Sequence, residues 1–348
     1  MRRRLLPLVA AVGVLGLLAG CGGTTTAEPA TSATAEATVE PAEAPAEPTT
    51  IRIASLKGPT TMGLVGLMAD AAAGETAEDY QVTMYGTPDE IVPLVVQGGV
   101  DVALVPANLA AVLYARTLDA DGAQVQVAAI NTLGMLEVLE AGDTVHSVAD
   151  LAGRTIYSTG KGASPEYVLN YLLASNGLDP ATDVTVEFKS EATEVAALLA
   201  AEPGAVGVLP QPYVTVLQTQ NPAIRTALSL SDEWAAVTPD SQMVTGVVVV
   251  RTAFLAEHPE AFETFLDDYE ASTEFTNEHP AEAATLIAEA GIVPAAPIAE
   301  AAIPACNITF IDGDELRTVL GGYLQVLADA DPAAVGGSVP GDDFYYRR

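Results

Sequence analysis

Residues 154–177 read "RTIYSTGKGASPEYVLNYLLASNG", and this stretch decides the fold class. The first part, "RTIYSTG", has the composition of a strand, and "SPEYVLNYLLASNG" has the apolar spacing of a helix. Ser164, Pro165 and Glu166 form a favourable helix start, with Ser164 predicted as the N-cap. The stretch therefore predicts a strand that passes through a short glycine-rich loop into a helix.

The same alternation of strand and helix continues on both sides of this stretch. Downstream it runs through "DVTVEFKS", "EATEVAALLAAEPG", "AVGVLP" and "PYVTVLQTQ". Upstream, from Ile51, it runs through "IRIASL", "TTMGLVGLMADAAA", "YQVTMYG", "DEIVPLVVQGG", "VDVALVPA" and "NLAAVLYART". Strands that alternate with helices at this spacing predict an α/β fold with a mainly parallel sheet and helices on both faces.

The two series also share a register. Lys57 and Lys161, Glu90 and Glu194, and Pro106 and Pro210 are each separated by 104 positions. Loose alignment of any two such series is the alternative explanation for this register, but either interpretation predicts two successive α/β lobes.

The last third of the chain has a different pattern. It contains one strand-like segment at 243–255, followed by predicted helices at 259–277, 280–290, 296–303 and around 313–330. Because it has no strand series of its own, it is expected to complete the first lobe. We therefore predict lobe I at 51–140 plus 243–348, and lobe II at 141–242.

The N-terminus has the features of an export signal. Three arginines at positions 2–4 precede an uncharged apolar stretch, Leu5–Gly20, that is too short to span a bilayer. The residues before Cys21, "LAG", resemble the bacterial lipobox, which implies cleavage after residue 20 and lipid attachment to Cys21. A chance cysteine in an ordinary signal peptide is the alternative. Residues 21–50, rich in Thr, Ala, Pro and Glu, are predicted to form a disordered tether.

The charge balance excludes several partners. The chain carries 14 basic and 46 acidic residues, a net charge of −32, and loss of the three signal arginines would make it −35. Nucleic acid and anionic lipid headgroups are poor partners for such a surface.

Besides Cys21 the chain has one cysteine, Cys306, which we expect to be a buried apolar residue and not a nucleophile.

The loop "STGKG" at 158–162 is not a nucleotide-hydrolysis loop. Gly153 lies seven positions before Gly160 instead of five, and Gly162 stands where that motif needs Ser or Thr. The histidines, His146, His258 and His279, lack the spacing of metal ligands, and no serine lies in a Gly-x-Ser-x-Gly motif. The sequence therefore predicts no metal, no cofactor and no catalytic centre.

The strand–helix junctions are the candidate binding residues. Ligands of open α/β sheets bind beyond the carboxyl ends of the strands, where free N–H groups attract anionic or carbonyl oxygens. In lobe I, Thr60 or Thr61 is predicted to cap the first helix and Asn108 the helix after the third strand. Gln211 and Tyr213 are predicted to point into the cleft, although Tyr213 is equally compatible with a core position. The candidate set is Lys57, Gly58, Pro59, Thr60, Thr61, Asn108, Thr132, Thr159, Gly160, Lys161, Gly162, Ser164, Gln211 and Tyr213.

Two lysines in these loops predict a cleft that is positive within an acidic protein. Lys57 and Lys161 occupy matching junctions, which would favour a carboxylate, sulfonate, phosphate or electron-rich carbonyl. Pairing of both lysines with nearby surface acids is the alternative interpretation.

Four stretches resemble the solute-binding proteins of ABC importers, of the nitrate, sulfonate, taurine and thiamine-pyrimidine-precursor type. They are "IRIASLKGPTTMGLVGLM", "GGVDVALVPANLAAVLY", "SVADLAGRTIYSTGKGASPEYVLNYLL" and "VVVVRTAFLAEHPEAFETFLDDY". The resemblance implies a two-lobed type II periplasmic-binding fold that clamps a small molecule, with linking strands near 137–143 and 241–248. It further implies a monomer that delivers its ligand to a membrane permease with an ATPase.

The resemblance leaves the ligand open. Gln211 stands where this family often has a glutamate, so ligand choice could differ here. A lipoprotein that reports its ligand to a receptor, and an enzyme on the same fold, are the alternative functions.

Overall fold

The computed structural model describes residues 47–120 and 122–348, and these fold around two β-sheets. The predicted signal peptide, Cys21 and nearly all of the predicted tether lie outside the described residues. Within the described part of the chain, no helix combines the length and apolar character needed to cross a membrane.

The first sheet has six strands in the order β11-β4-β10-β3-β1-β2. Four of them, β1, β2, β3 and β4, run in one direction, because β10 is antiparallel to both β3 and β4. The strands are β1 (Thr50–Leu56), β2 (Asp79–Tyr85), β3 (Val102–Pro106), β4 (Val125–Leu133), β10 (Val244–Arg251) and β11 (Ile308–Ile311).

The second sheet has five strands in the order β7-β6-β8-β5-β9. Here too, four strands share one direction and β5 opposes them. They are β5 (Leu136–Glu140), β6 (Thr155–Ser158), β7 (Thr185–Phe188), β8 (Val206–Pro210) and β9 (Arg225–Ser229). The prediction of α/β sheets with mainly parallel strands is confirmed.

Helices surround both sheets. In the first repeat they are α1 (Pro59–Met62), α2 (Val65–Ala73), α3 (Pro88–Gln97) and α4 (Ala107–Thr117). In the second they are α5 (Ser164–Ser175), α6 (Ala192–Ala201), α7 (Tyr213–Gln220) and α8 (Leu230–Val237). The last third contributes α9 (Thr252–Glu257), α10 (Pro259–Glu278), α11 (Pro280–Glu289), α12 (Ala296–Ala302) and α13 (Gly313–Ala330). Prolines at the first positions of α10 and α11 fit the first turn, where no backbone N–H is needed.

The 104-residue repeat is confirmed by the element boundaries. Helices α3 and α6, and strands β3 and β8, begin and end at positions that differ by 104. The strand orders β2-β1-β3 and β7-β6-β8 correspond, and each is extended by one antiparallel strand, β10 or β5. The chain thus crosses between the sheets at 134–135 and again at 230–243.

Strand β5 lies in the second sheet, where it pairs with β8 and β9. The boundary predicted after residue 140 assigned this segment to lobe I, so the crossover comes several residues earlier than predicted. Only Gly134 and Met135 separate β4 from β5, so the sequence gives little indication of the crossover.

Candidate functional site

A cavity of about 300 Å³ lies between the carboxyl ends of the two sets of parallel strands. Both sheets contribute to its walls, in agreement with the rule that open α/β sheets bind ligands at this edge. The lining residues are Leu56, Lys57, Pro59, Thr60, Gly86, Thr87, Pro88, Pro106, Met135, Leu136, Thr159, Gly160, Ala163, Ser164, Pro165, Ser190, Glu191, Ala192, Pro210, Tyr213 and Thr245.

The lining follows the internal repeat. Pro59 and Ala163, Thr60 and Ser164, and Pro106 and Pro210 are separated by 104 positions, and all six residues line the cavity. The segments 86–88 and 190–192, which precede α3 and α6, are related in the same way. The cavity is therefore built from equivalent junctions of two similar α/β units.

Half of the predicted binding residues line this cavity and half do not. The structure brings together Lys57, Pro59, Thr60, Thr159, Gly160, Ser164 and Tyr213. The others lie beside the cavity without forming its wall, namely Gly58, Thr61, Asn108, Thr132, Lys161, Gly162 and Gln211.

The predicted helix caps are wrong in detail. Helix α1 has Gly58 at its N-cap, and the hydroxyls of Thr60 and Thr61 instead donate to the carbonyl of Leu56, at 2.7 and 2.6 Å. Helix α5 has Ala163 at its N-cap, so Ser164 is its first helical residue. Helix α4 starts at Ala107, which places Asn108 inside the first turn. These side chains form hydrogen bonds with groups other than the backbone N–H groups at the starts of their own helices.

Asn108 is fully buried and joins the two repeats. Its Nδ2 donates to the carbonyl of Ala334, at 3.1 Å, and to the carbonyl of Gly162, at 3.4 Å. Its Oδ1 accepts from the Ser164 hydroxyl at 3.2 Å. Gly162 and Ser164 belong to the second repeat, so Asn108 connects α4 to the start of α5.

The side chains of Gln211 and Thr132 also form hydrogen bonds within the chain. The Oε1 of Gln211 accepts from the hydroxyl of Thr215 at 2.9 Å and from its backbone N–H at 3.3 Å. Thr132 is buried on β4 and donates to Asn131 Oδ1 at 3.2 Å. Gln211 does not line the cavity, whereas Tyr213 does.

Lys57 and Glu191 are the charged residues of the lining, one from each repeat. Among the described residues, no acidic side chain lies within 4.0 Å of the amine of Lys57 or of Lys161. Both lysines are exposed, and the alternative interpretation, in which they pair with surface acids, is not observed. Burial, followed by the nearby Glu191 carboxylate, raises the pKa of Tyr213, which keeps its phenol protonated.

Sequence reasoning missed the segments 86–88 and 190–192, together with Met135 and Thr245. The signal for the first two was present, since the 104-residue register that relates Lys57 to Lys161 also relates Thr87 to Glu191. Met135 comes from the first crossover, and Thr245 lies at the start of β10, directly after the second crossover.

The histidines and Cys306 are not part of the lining of this cavity. His146, His258 and His279 are exposed and lie outside its lining. Cys306 is 0% exposed, which confirms the prediction that it is buried, and this burial raises the pKa of its thiol to about 12. Across residues 47–120 and 122–348, no cluster of three His, Cys, Asp or Glu side chains could hold a metal ion.

Comparison with known proteins agrees with this architecture. The model of the family described as NMT1/THI5 like matches residues 78–283, more than half of the chain. A search of curated proteins found no match.

Solved structures with the same fold cover most of the chain. An ABC transporter protein from Parabacteroides distasonis has 21% identity and a TM-score of 0.69, with 86% of this chain and 99% of that chain covered. The alkanesulfonate-binding protein SsuA from Xanthomonas axonopodis pv. citri, bound to MOPS, has 15% identity and a TM-score of 0.66, with 85% and 96% covered. The periplasmic nitrate-binding protein NrtA from Synechocystis PCC 6803 has 13% identity and a TM-score of 0.57, with 78% and 75% covered.

Proposed function

We propose that this chain, which belongs to the NMT1/THI5-like family, is the solute-binding component of an ABC importer. The observation that carries the proposal is the cavity of about 300 Å³ whose walls come from equivalent junctions of two α/β units. A cavity of this size and position suits a small molecule held between two lobes. The structural neighbours SsuA and NrtA are binding proteins for an alkanesulfonate and for nitrate, which supports the same class of function.

The proposed lobes are the two sheets with their helices. Lobe I comprises about residues 51–134 and 244–348, and lobe II comprises most of the chain between them. Opening would be a rotation about the two crossover segments. A ligand that contacts both lobes favours the closed form by its differential affinity for that form, and the closed form is then recognised by the permease.

The proposed ligand is a small polar or anionic molecule. Prolines and apolar residues form much of the wall, hydroxyl groups supply hydrogen-bonding positions, and Lys57 supplies a positive charge at the rim. Transport energy would come from the ATPase of the importer, so this chain would need no catalytic group. The exposed, scattered histidines are consistent with that role.

The proposed location is the outer face of the cell membrane. The basic start, the short apolar stretch and Cys21 support export and lipid attachment, with residues 21–50 as the tether to the folded body. This location would bring the cavity near a permease embedded in the same membrane.

Native mass spectrometry of gently purified protein, followed by a thermal-shift panel, tests the proposal. Sulfonates, pyrimidines, flavins and small carboxylates form the panel, and we expect at least one compound to raise the melting temperature in proportion to its concentration. The proposal is contradicted if no copurified small molecule is found and no compound in the panel stabilises the fold.

A further inference from the structure

Two buried residues with hydroxyl groups occupy equivalent positions in the cavity lining, one in each repeat. Thr60 lies in the first repeat and Ser164 lies 104 positions later in the second, and they are 6% and 1% exposed. A hydroxyl group has one proton to donate and two lone pairs that accept. What each of these groups offers to a ligand therefore depends on where its proton is already committed.

The proton of Thr60 is committed to the protein. Its Oγ1 lies 2.7 Å from the carbonyl oxygen of Leu56. Because a carbonyl oxygen can only accept, Thr60 must be the donor in this bond. For a further partner, the Thr60 hydroxyl then has lone pairs to offer and no proton.

The proton of the Ser164 hydroxyl also takes part in a hydrogen bond within the protein, and its acceptor is Asn108. The carbonyl oxygens of Gly162 and Ala334 lie 3.4 and 3.1 Å from one end of the Asn108 amide. Since both carbonyls only accept, that end is the NH₂ group, and the other end is the oxygen. The Ser164 hydroxyl lies 3.2 Å from this amide oxygen and must donate to it.

We propose that Thr60 and Ser164 determine specificity by accepting hydrogen bonds from N–H or O–H groups of the ligand, one on each lobe. The inference rests on the proposed binding function and narrows the ligand to a molecule that carries hydrogen-bond donors. A bare carboxylate or sulfonate placed between these two groups would meet only lone pairs. The carboxylate of Glu191 adds a third acceptor to the same cavity.

The remaining groups allow acceptors elsewhere on the ligand. Thr245 also lines the cavity, and its buried hydroxyl has no hydrogen-bond partner within the described part of the chain. Lys57 lies exposed at the rim. Asn108 does not line the cavity and acts as a positioning residue, because its amide oxygen fixes the direction of the Ser164 proton.

Matched pairs of compounds test this inference. Each pair shares one aromatic frame and differs only in carboxamide against carboxylate, or sulfonamide against sulfonate, so that shape is kept while donors are lost. Affinities are measured by calorimetry at high salt, which screens the attraction of Lys57 for the anions. We expect the donor-bearing member to bind at least about tenfold more tightly, since sites built to pair a donor reject analogues that lack it.

Substitutions test whether Thr60 and Ser164 cause the preference for donor-bearing ligands. Thr60→Val and Ser164→Ala are each expected to lower the affinity ratio between the members of a pair by at least about fivefold, on the scale of one hydrogen bond. Asn108→Leu frees the Ser164 proton and is expected to shift the ratio towards the anions, which a merely structural role would not do. Thr285→Val is the matched control, because it removes the same hydroxyl-to-carbonyl bond, from Thr285 to Ala281, on an exposed helix away from the cavity.

The outcomes separate this inference from the function on which it rests. If the carboxylates or sulfonates bind as tightly as their amides, or if Thr60→Val and Ser164→Ala leave the ratio unchanged, the donor requirement is wrong and the binding function stands. If Asn108→Leu does not fold, the Thr60→Val and Ser164→Ala results alone decide the matter. If neither these pairs nor the broader panel bind at all, the proposed function itself is overturned.

Discussion

The strongest stability prediction concerns Glu140, a fully buried carboxylate at the end of strand β5. Both of its oxygens accept from the backbone N–H of Thr144 at 2.9 Å, and one also accepts from Val145 at 3.1 Å. The Arg225 guanidinium lies 2.6 Å away, and Arg154 lies at 3.8 Å. Burial raises the pKa of Glu140, but the Thr144, Val145 and Arg225 contacts outweigh it and lower the pKa from 4.5 to about 2.

The magnitude follows from that pKa. At about 1.4 kcal/mol for each factor of ten in ionisation, the interval from 4.5 to about 2 corresponds to about 3 kcal/mol of stability. Glu140→Gln removes the charge and leaves Arg225 beside a neutral amide, a change that typically costs about 3–5 kcal/mol. We therefore expect a loss of about 3 kcal/mol at pH 7. Because the folded pKa is lowered, this stabilisation is complete above pH 4.5 and is lost as the pH falls towards 2.

Urea unfolding, followed by the fluorescence of Trp234, measures this effect. Trp234 is the one tryptophan of the chain and is 1% exposed, so unfolding changes its surroundings completely. Glu187→Gln is the control, because Glu187 forms an exposed pair with Lys189 and should matter by less than about 1 kcal/mol. A loss below about 1 kcal/mol for Glu140→Gln, or a difference from the unmodified protein that is equally large at pH 7 and near pH 3, would refute the reasoning.

Three further predictions concern the anchor, the cleft rim and the crossover. Cys21→Ser is expected to move the protein from the membrane to the soluble fraction of fractionated cells, and retention in the membrane would contradict lipid attachment. Lys57→Ala is expected to weaken an acid-bearing ligand by up to about 1 kcal/mol, and to do so less at high salt, because the charge is exposed; a salt-independent loss in calorimetry would be inconsistent with this. Gly134→Ala is expected to destabilise the fold by about 1–3 kcal/mol, because its Cβ would lie 2.5 Å from Met243 Cε and closer still to Ser231 Oγ. An unchanged urea midpoint would show that the crossover can absorb the methyl group.

Regular elements of the repeats were predictable because local pattern and tertiary packing agree there. Helix α13 (Gly313–Ala330) begins and ends where its apolar spacing indicates, and buries Leu316, Leu320 and Leu324 on one face. Strands β4, β9 and β11 were not predicted individually. These strands pair in antiparallel fashion with segments that are far apart in the chain; β4, for example, lies between β10 and β11. The composition of a short segment does not indicate which distant strand it will pair with.

The polar residues at the junctions were harder to assign than the elements that carry them. Ser, Thr and Asn at a strand–helix junction are ordinarily helix caps, and that rule predicted such roles for Thr60, Ser164 and Asn108. In the structure, Ser164 of the second repeat instead donates a hydrogen bond to Asn108 of the first. That choice depends on the approach of two helices that are 56 residues apart in sequence, so a local rule cannot anticipate it.

The repeat carries more information about the site than any single motif. Lys161, with a glycine on each side, looks like part of an anion-binding loop, but it does not line the cavity. Thr87 and Glu191, which belong to no recognisable motif, do line it. Both of these residues follow from the 104-residue register, since each stands at the start of a helix that succeeds a second parallel strand. In a fold built from two similar units, a ligand that bridges them must meet equivalent junctions on each side. The register therefore predicts the lining of the cavity, because the equivalent junctions lie at the same edge of both sheets, whereas the lysine motif indicates only a loop beside one of them.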